Sequence, residues 1–252
     1  MQLLILIIAC ALLWSLESFR PLNDHAKGKL RRALPNIVLA VLLVSTNLVL
    51  SFASARLTSL IQAKQFGLFF NIHLPPWTVL ILGIMALDLF AYLAHLLLHK
   101  SWLGWQFHRV HHSDREVNVS TAFRQHPGET VWRMLWQLLA VVVFGLTLEV
   151  LAVYLTISAL NAQLEHANIK LNDSLDRWLR MLVVTPNMHK VHHSRDQRET
   201  DTNYSNIFSI WDRIFGSYTT PLDLRGVCYG LDGFDDQRQQ TLPALLKLPF
   251  SY

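Results

Sequence analysis

The chain has 252 residues, enough for one large domain or two small ones. Hydrophobic residues make up 52% and charged ones only 16%, against about 25% charged in an average soluble domain. That composition excludes an ordinary soluble protein and points to a membrane protein. The net charge of +4 forms no basic stripe suited to nucleic acid, and the two cysteines, Cys10 and Cys228, supply neither a CxxC metal site nor a disulfide framework.

In chain order, the first apolar run is residues 2–16, without the basic flank or cleavage site of a signal peptide. It is short for a span of about 20 residues, with residues 17–19 expected at the interface. A basic loop follows, carrying Arg20, Lys27, Lys29, Arg31 and Arg32 against Asp24. The second apolar run covers residues 35–55, and residues 56–76 connect onward to a stop at Pro75-Pro76. The third, residues 77–99, is apolar apart from Asp88, His95 and His99. A polar segment at 100–130 precedes a long apolar stretch at 131–164, which Gly145 and Glu149 divide into a helical hairpin. From residue 165 the chain is polar and aromatic, with no run of span length. The expected fold is an all-α integral membrane protein of four to five membrane helices, three spans plus a hairpin, under a helical cap.

Charge bias orients it. The 20–34 loop has five basic residues and the 56–76 loop only Arg56 and Lys64, so the first is expected to be cytoplasmic and the second outside. The third span then runs inward, and the hairpin returns the C-terminal region to the same face. A bacterial inner membrane is the expected location, ahead of the endoplasmic reticulum.

Twelve histidines are present, most of them in three short stretches. His95 and His99 form HxxxH, while His108, His111 and His112, then His189, His192 and His193, form two HxxHH boxes. On a helix, positions i, i+3 and i+4 share a side, so each HxxHH is expected to offer three imidazoles to one centre. Eight imidazoles exceed the four to six ligands of one metal and imply two, of the zinc, copper, iron or nickel type. His126 and His166 stand alone and are added as candidate ligands; His25 and His73 lie in loops on the wrong segment and are read as ordinary. Asp88, two turns before His95, is an ionisable residue inside a span and a candidate to orient a ligand ring. Tyr92 and Glu129 are further candidates around the metals, and Glu165, Asn168, Asn203 and Asp212 weaker ones.

The order HxxxH, HxxHH, HPxE and HxxHH between apolar spans resembles the fatty-acid hydroxylase and sterol desaturase superfamily. The motifs are Asp88-xxx-Tyr92-xx-His95-xxx-His99, Trp105 to Ser113, and Thr185 to Ser194. Asn203-Tyr204 and Ile210 to Gly216 are similar to its terminal signature. The likeness covers residues 77–218 and is strongest to the compact bacterial sterol-desaturase-like and alkylglycerol monooxygenase branch. Residues 1–60 read as generic membrane helices and 219–252 as a C-terminal tail, all in one domain over 1–252.

The resemblance implies two iron ions, with O2 as co-substrate, hydroxylating or desaturating a lipid: a sterol, fatty acyl chain, carotenoid or ether lipid. Zinc is an expected substitute metal. With no GxGxxG fingerprint in the sequence, electrons are expected from an external ferredoxin, cytochrome b5-like protein or reduced pterin. Three rivals are weighed. A histidine-rich metal-binding or transport protein would place ligands near the bilayer midplane. A bis-histidine haem protein leaves two HxxHH boxes unexplained, and a zinc hydrolase lacks HExxH.

Overall fold

Apolar runs that cannot satisfy their backbone in lipid must form helices, and long helices dominate the computed structural model, which describes residues 2–23, 28–220 and 224–251. Asp24, His25 and Lys27 of the basic loop lie outside the described residues. Among the described residues, three helices are long and apolar enough to cross a membrane: α1 (Gln2–Phe19), α2 (Lys29–Ala63) and α3 (Pro76–Lys100). The second is longer than its apolar run, because the helix begins within the basic loop and continues past residue 55. Its 35 residues extend about 52 Å, well beyond a hydrocarbon core of about 30 Å. After α4 (Trp102–His112) come α5 (Pro127–Phe144) and α6 (Leu148–His166), which are the expected hairpin. Short helices α7 (Asp173–Leu179), α8 (Pro186–His192), α9 (Gln197–Thr200), α10 (Ile210–Ile214) and α11 (Leu242–Lys247) complete the cap. No strand longer than an isolated bridge occurs among the described residues.

The hairpin turns on a glycine. Gly145 caps α5 at φ +70°, a left-handed conformation that a side chain resists. A Cβ there would lie 2.7 Å from both the Phe66 carbonyl and the Phe70 ring, and one on Gly67 would lie 2.2 Å from the Gly145 nitrogen. The hairpin apex thus packs on the 64–75 link, at the end of the bundle opposite the histidines. In the middle, Leu87 and Ala91 of α3 interlock with Ala140 and Val141 of α5 and with Val150, Leu151 and Tyr154 of α6.

By contrast, α1 and α2 present Leu4, Ile7, Leu12, Val41, Val49 and Phe52 outward. Lipid tails are as apolar as leucine, so such side chains do little to fix where these helices sit. Polar bonds fix them instead. The buried Glu17 carboxylate, expected at the interface, accepts from the backbone of Val119 and Asn168 at 3.0 and 2.8 Å and pairs with Lys29 at 2.9 Å. Asn36 donates to Asp114 and Ser120 and accepts from Arg124. The C-terminal tail folds back as well: Leu245 and Leu248 pack on Leu39 and Val110, and Arg109 donates to the carbonyls of Leu248 and Ser251.

This layout puts the 64–75 link and the cap at opposite ends of α3. Cys228 is exposed at the cap and Asn71 is exposed in the link. In a Cys10→Ala background, an impermeant maleimide should label only one of native Cys228 and an Asn71→Cys reporter in intact cells, the other reacting after permeabilisation. Labelling of both from one side would mean that α3 does not cross.

Candidate metal centre

Proline at the first turn of α8 and a capping Thr185 start that helix so that His189, His192 and His193 face inward. A sharp turn at Ser101, whose hydroxyl caps α4, folds His108, His111 and His112 back against His95 and His99 at the end of α3. His166 closes α6. Nine of the ten candidate histidines then fall into two groups, His95, His99, His108, His112 and His192 in one and His111, His166, His189 and His193 in the other. Within each group the potential ligand atoms lie within 4.8 Å of one another.

The boxes do not each serve one centre, as their spacing suggested. His108 and His112 join the first group and His111 the second; His189 and His193 join the second and His192 the first. Positions i+3 and i+4 lie about 100° apart around the helix, so a box facing two centres sends its i, i+4 pair one way and its middle histidine the other. The groups abut, with the His112 and His193 rings stacked at 4.7 Å.

Four of the nine rings are held by hydrogen bonds from their far nitrogens. Nδ1 of His95 donates to the Tyr204 carbonyl at 2.8 Å and Nδ1 of His192 to Thr202 at 2.7 Å. Nδ1 of His111 donates to Arg124 at 3.3 Å and Nδ1 of His166 to Ala162 at 2.6 Å. His108 Nδ1 sits 3.0 Å from Glu129, and His99 Nδ1 sits 3.5 Å from Asp201. Burial pushes the imidazoles of His108, His111, His112, His189, His192 and His193 well below their ordinary range, and neighbouring rings add to it. Neutral rings with the proton on Nδ1 leave Nε2 bare. Yet Nε2 of His166 lies 3.1 Å from that of His111, and both rings give their Nδ1 proton to a carbonyl. Bare lone pairs repel at that distance unless a cation lies between them. Among the described residues, the buried Nε2 atoms of His99, His112 and His192 have no hydrogen-bond partner at all. The donor set fits imidazole-seeking metals, one per group.

Other candidates are placed differently. His126 belongs to neither group: its Nδ1 accepts from the Gly128 amide and caps α5, and its ring stacks on Phe107. HPxE is thus a helix start, with proline at the first turn. Asp88 touches no histidine. It accepts from the amides of Ile207 and Phe208, from Trp211 Nε1 and from Asn206, and so moors the 206–211 segment to α3. Tyr92 bonds Ser217 and stacks on Phe215, and Asp212 accepts from Tyr204 and Ser205 amides. Glu129 lies 3.0 Å from His108, and Glu165 lies 3.7 Å from His189 and 3.8 Å from His166. Asn168 pairs with Asn23, and Asn203, at φ +53°, bonds the Met188 and Thr219 carbonyls. His73 is exposed in the far link.

Sequence reasoning missed Asp201, Arg124 and Lys190. Arg124 is buried and donates to Val110, Asn36, Ser113 and Gln240. Lys190 is buried beside His189, and burial pulls its ammonium down to about 7. Only their polar character in a histidine-rich segment marked them; the carbonyls that hold the rings have no sequence signal.

Comparison with known proteins agrees with this picture. The human alkylglycerol monooxygenase is 31% identical over 211 residues, which is 83% of this chain and 45% of that protein. The Xenopus tropicalis alkylglycerol monooxygenase is 31% identical over 62% of the chain and 33% of its own length. An ornithine lipid hydroxylase of Rhizobium tropici is 29% identical over 56% of the chain and 42% of its own length. The chain thus spans less than half the length of these relatives. No solved structure matches it. The fatty acid hydroxylase family model matches residues 80–217, which hold most of α3, α4 to α10 and every histidine of the two groups, and the chain belongs to that family.

Proposed function

We propose that the protein is a membrane-bound, non-haem di-iron oxidoreductase that uses O2 to hydroxylate or desaturate a lipid. The observation that carries this reading is the convergence of nine imidazoles into two abutting groups with bare nitrogens facing one another. In this reading, His95, His99, His108, His112 and His192 hold one iron and His111, His166, His189 and His193 the other. Bound iron supplies O2 activation and the oxidising power to attack an unactivated C–H bond. The names of the monooxygenase and lipid hydroxylase relatives support a lipid as the substrate.

The chain's own residues prepare that chemistry. Carbonyls of Thr202, Tyr204, Arg124 and Ala162 fix the ring tautomers, so that Nε2 is the ligating atom. Glu129 and Asp201 set carboxylates beside His108 and His99 and raise the basicity of those rings. Burial of both groups keeps bulk water from the reacting centre. The electron donor is proposed to be a ferredoxin, a cytochrome b5-like protein or a reduced pterin, and the cap is proposed to face the cytoplasm on the strength of the basic 20–34 loop.

Protein purified anaerobically in mild detergent should carry about two irons per chain, and with a reductant it should couple O2 uptake to oxidation of a lipid extract, read by mass spectrometry. One metal, or two without O2 uptake under any reductant, would instead favour a metal-binding protein. His111→Ala or His189→Ala should empty one group of metal. His126→Ala should retain both irons and lose about 1 kcal/mol of stability with the helix cap.

Two carboxylates should separate by readout. Glu129→Gln should lower metal affinity or turnover about 10–100-fold with little change in melting temperature. Asp88→Asn should lower melting temperature as well, because four donors lose their charged acceptor. Equal melting behaviour of the two variants would contradict the mooring role given to Asp88.

A further inference from the structure

Between α2, α3, α5 and α6 lies a cavity of about 370 Å³, within the usual range for a ligand site. Part of its lining is aliphatic, from Leu43, Leu50, Leu138 and Leu155. Polar groups join them, from Asn47, Ser51, Arg133, Gln137 and Ser158. The cavity reaches the flank of the metal centre. It touches Ala94, next to His95, and Ala162, whose carbonyl accepts from His166.

Arg133 is the unusual member. Its Nε donates to Glu129 at 2.8 Å, and that carboxylate lies 3.0 Å from Nδ1 of His108. Among the described residues it has no other hydrogen-bond partner, so its two terminal NH2 groups have none within the protein, and the residue lines the cavity. A guanidinium has five donors and no acceptor. Ionisable residues on membrane helices face cavities and mark substrate paths. Hydrocarbon packed against these groups would leave donors desolvated and unpaired, whereas an oxygen with free lone pairs would satisfy them.

We propose that this cavity seats the oxygen-bearing end of the lipid, with Arg133 donating to an ether, ester, amide or carboxylate oxygen of the substrate. The contact chain from Arg133 through Glu129 to His108 is only two links long. A lipid that carries such an oxygen is favoured over a plain hydrocarbon, which would leave the Arg133 donors unpaired. This specificity rests on the lipid-oxygenase reading of the same site, with Arg133 positioning the substrate. Gln137 and Ser158 add neutral hydrogen-bonding groups to the same wall.

The test is photo-crosslinking to metal-loaded protein in nanodiscs, using a diazirine-bearing long-chain alkylglycerol and a diazirine alkane of equal chain length. The alkylglycerol should label Met134, Leu138 or Leu155 saturably, and the alkane should not. Arg133→Lys keeps a positive charge beside Glu129 and should retain metal. It should weaken labelling at least about tenfold, as expected for losing hydrogen bonds from a charged group. Gln137→Leu leaves the Arg133–Glu129 pair intact and should weaken labelling a few-fold. Saturable labelling by the alkane at the same residues, or unchanged labelling in both variants, overturns the proposal. Lipid turnover in protein whose Arg133→Lys variant binds normally would sink this inference and leave the oxygenase reading standing. Arg133-dependent binding without turnover under any reductant would do the reverse.

Discussion

Bare imidazole nitrogens cannot sit 3 Å apart in a buried site without something positive between them. That repulsion, at His166 with His111, is what the rest of the cap is arranged to sustain. Each ring would otherwise rotate away or take a proton on the nitrogen now bare. The carbonyls that accept from Nδ1 prevent the first, and burial discourages the second. The arrangement draws on five separate stretches of chain, since α3, α4, α6 and α8 bring the rings and the 202–204 segment holds two of them from behind.

Holding those stretches together falls to buried polar residues more than to apolar contact. Asp88 binds the 206–211 segment to α3, and that segment is continuous with the carbonyls of Thr202 and Tyr204. Asp212 fixes the Tyr204 backbone from the other side. Glu17 and Asn36 do the same for α1 and α2, where an apolar surface facing lipid gives little positional information. Arg124 joins the two systems. Its side chain bonds Asn36, while its carbonyl accepts from His111.

The hairpin serves a different need. Because α5 and α6 go out and return, His126, Glu129 and Arg133 at one end and His166 at the other arrive at the same face of the bundle. The space left between these helices, α2 and α3 opens beside the histidine groups. Arg133 lines that space together with aliphatic side chains of α2, α5 and α6.

The sequence by itself determined the helical class, the apolar spans, the Gly145 break and the set of histidines. Each of these follows from local rules: run length, the conformational freedom of glycine, and the i, i+3 and i+4 spacing of a helix. Eight boxed imidazoles exceed the ligands of one metal, and the structure gathers them, with His166, into two groups. Local rules could not say which histidine serves which centre, because HxxHH on one helix can face one metal or straddle two, and only the packing of α4 against α8 chooses. They could not separate His166 from His126, two lone histidines, until one appeared at a helix end facing the groups and the other as a cap. Nor could they find Asp88's true partners or the carbonyls behind His95 and His192. A hydrogen bond across more than a hundred residues, or to a backbone oxygen that every residue carries, has no local signature, so only the tertiary structure decided those.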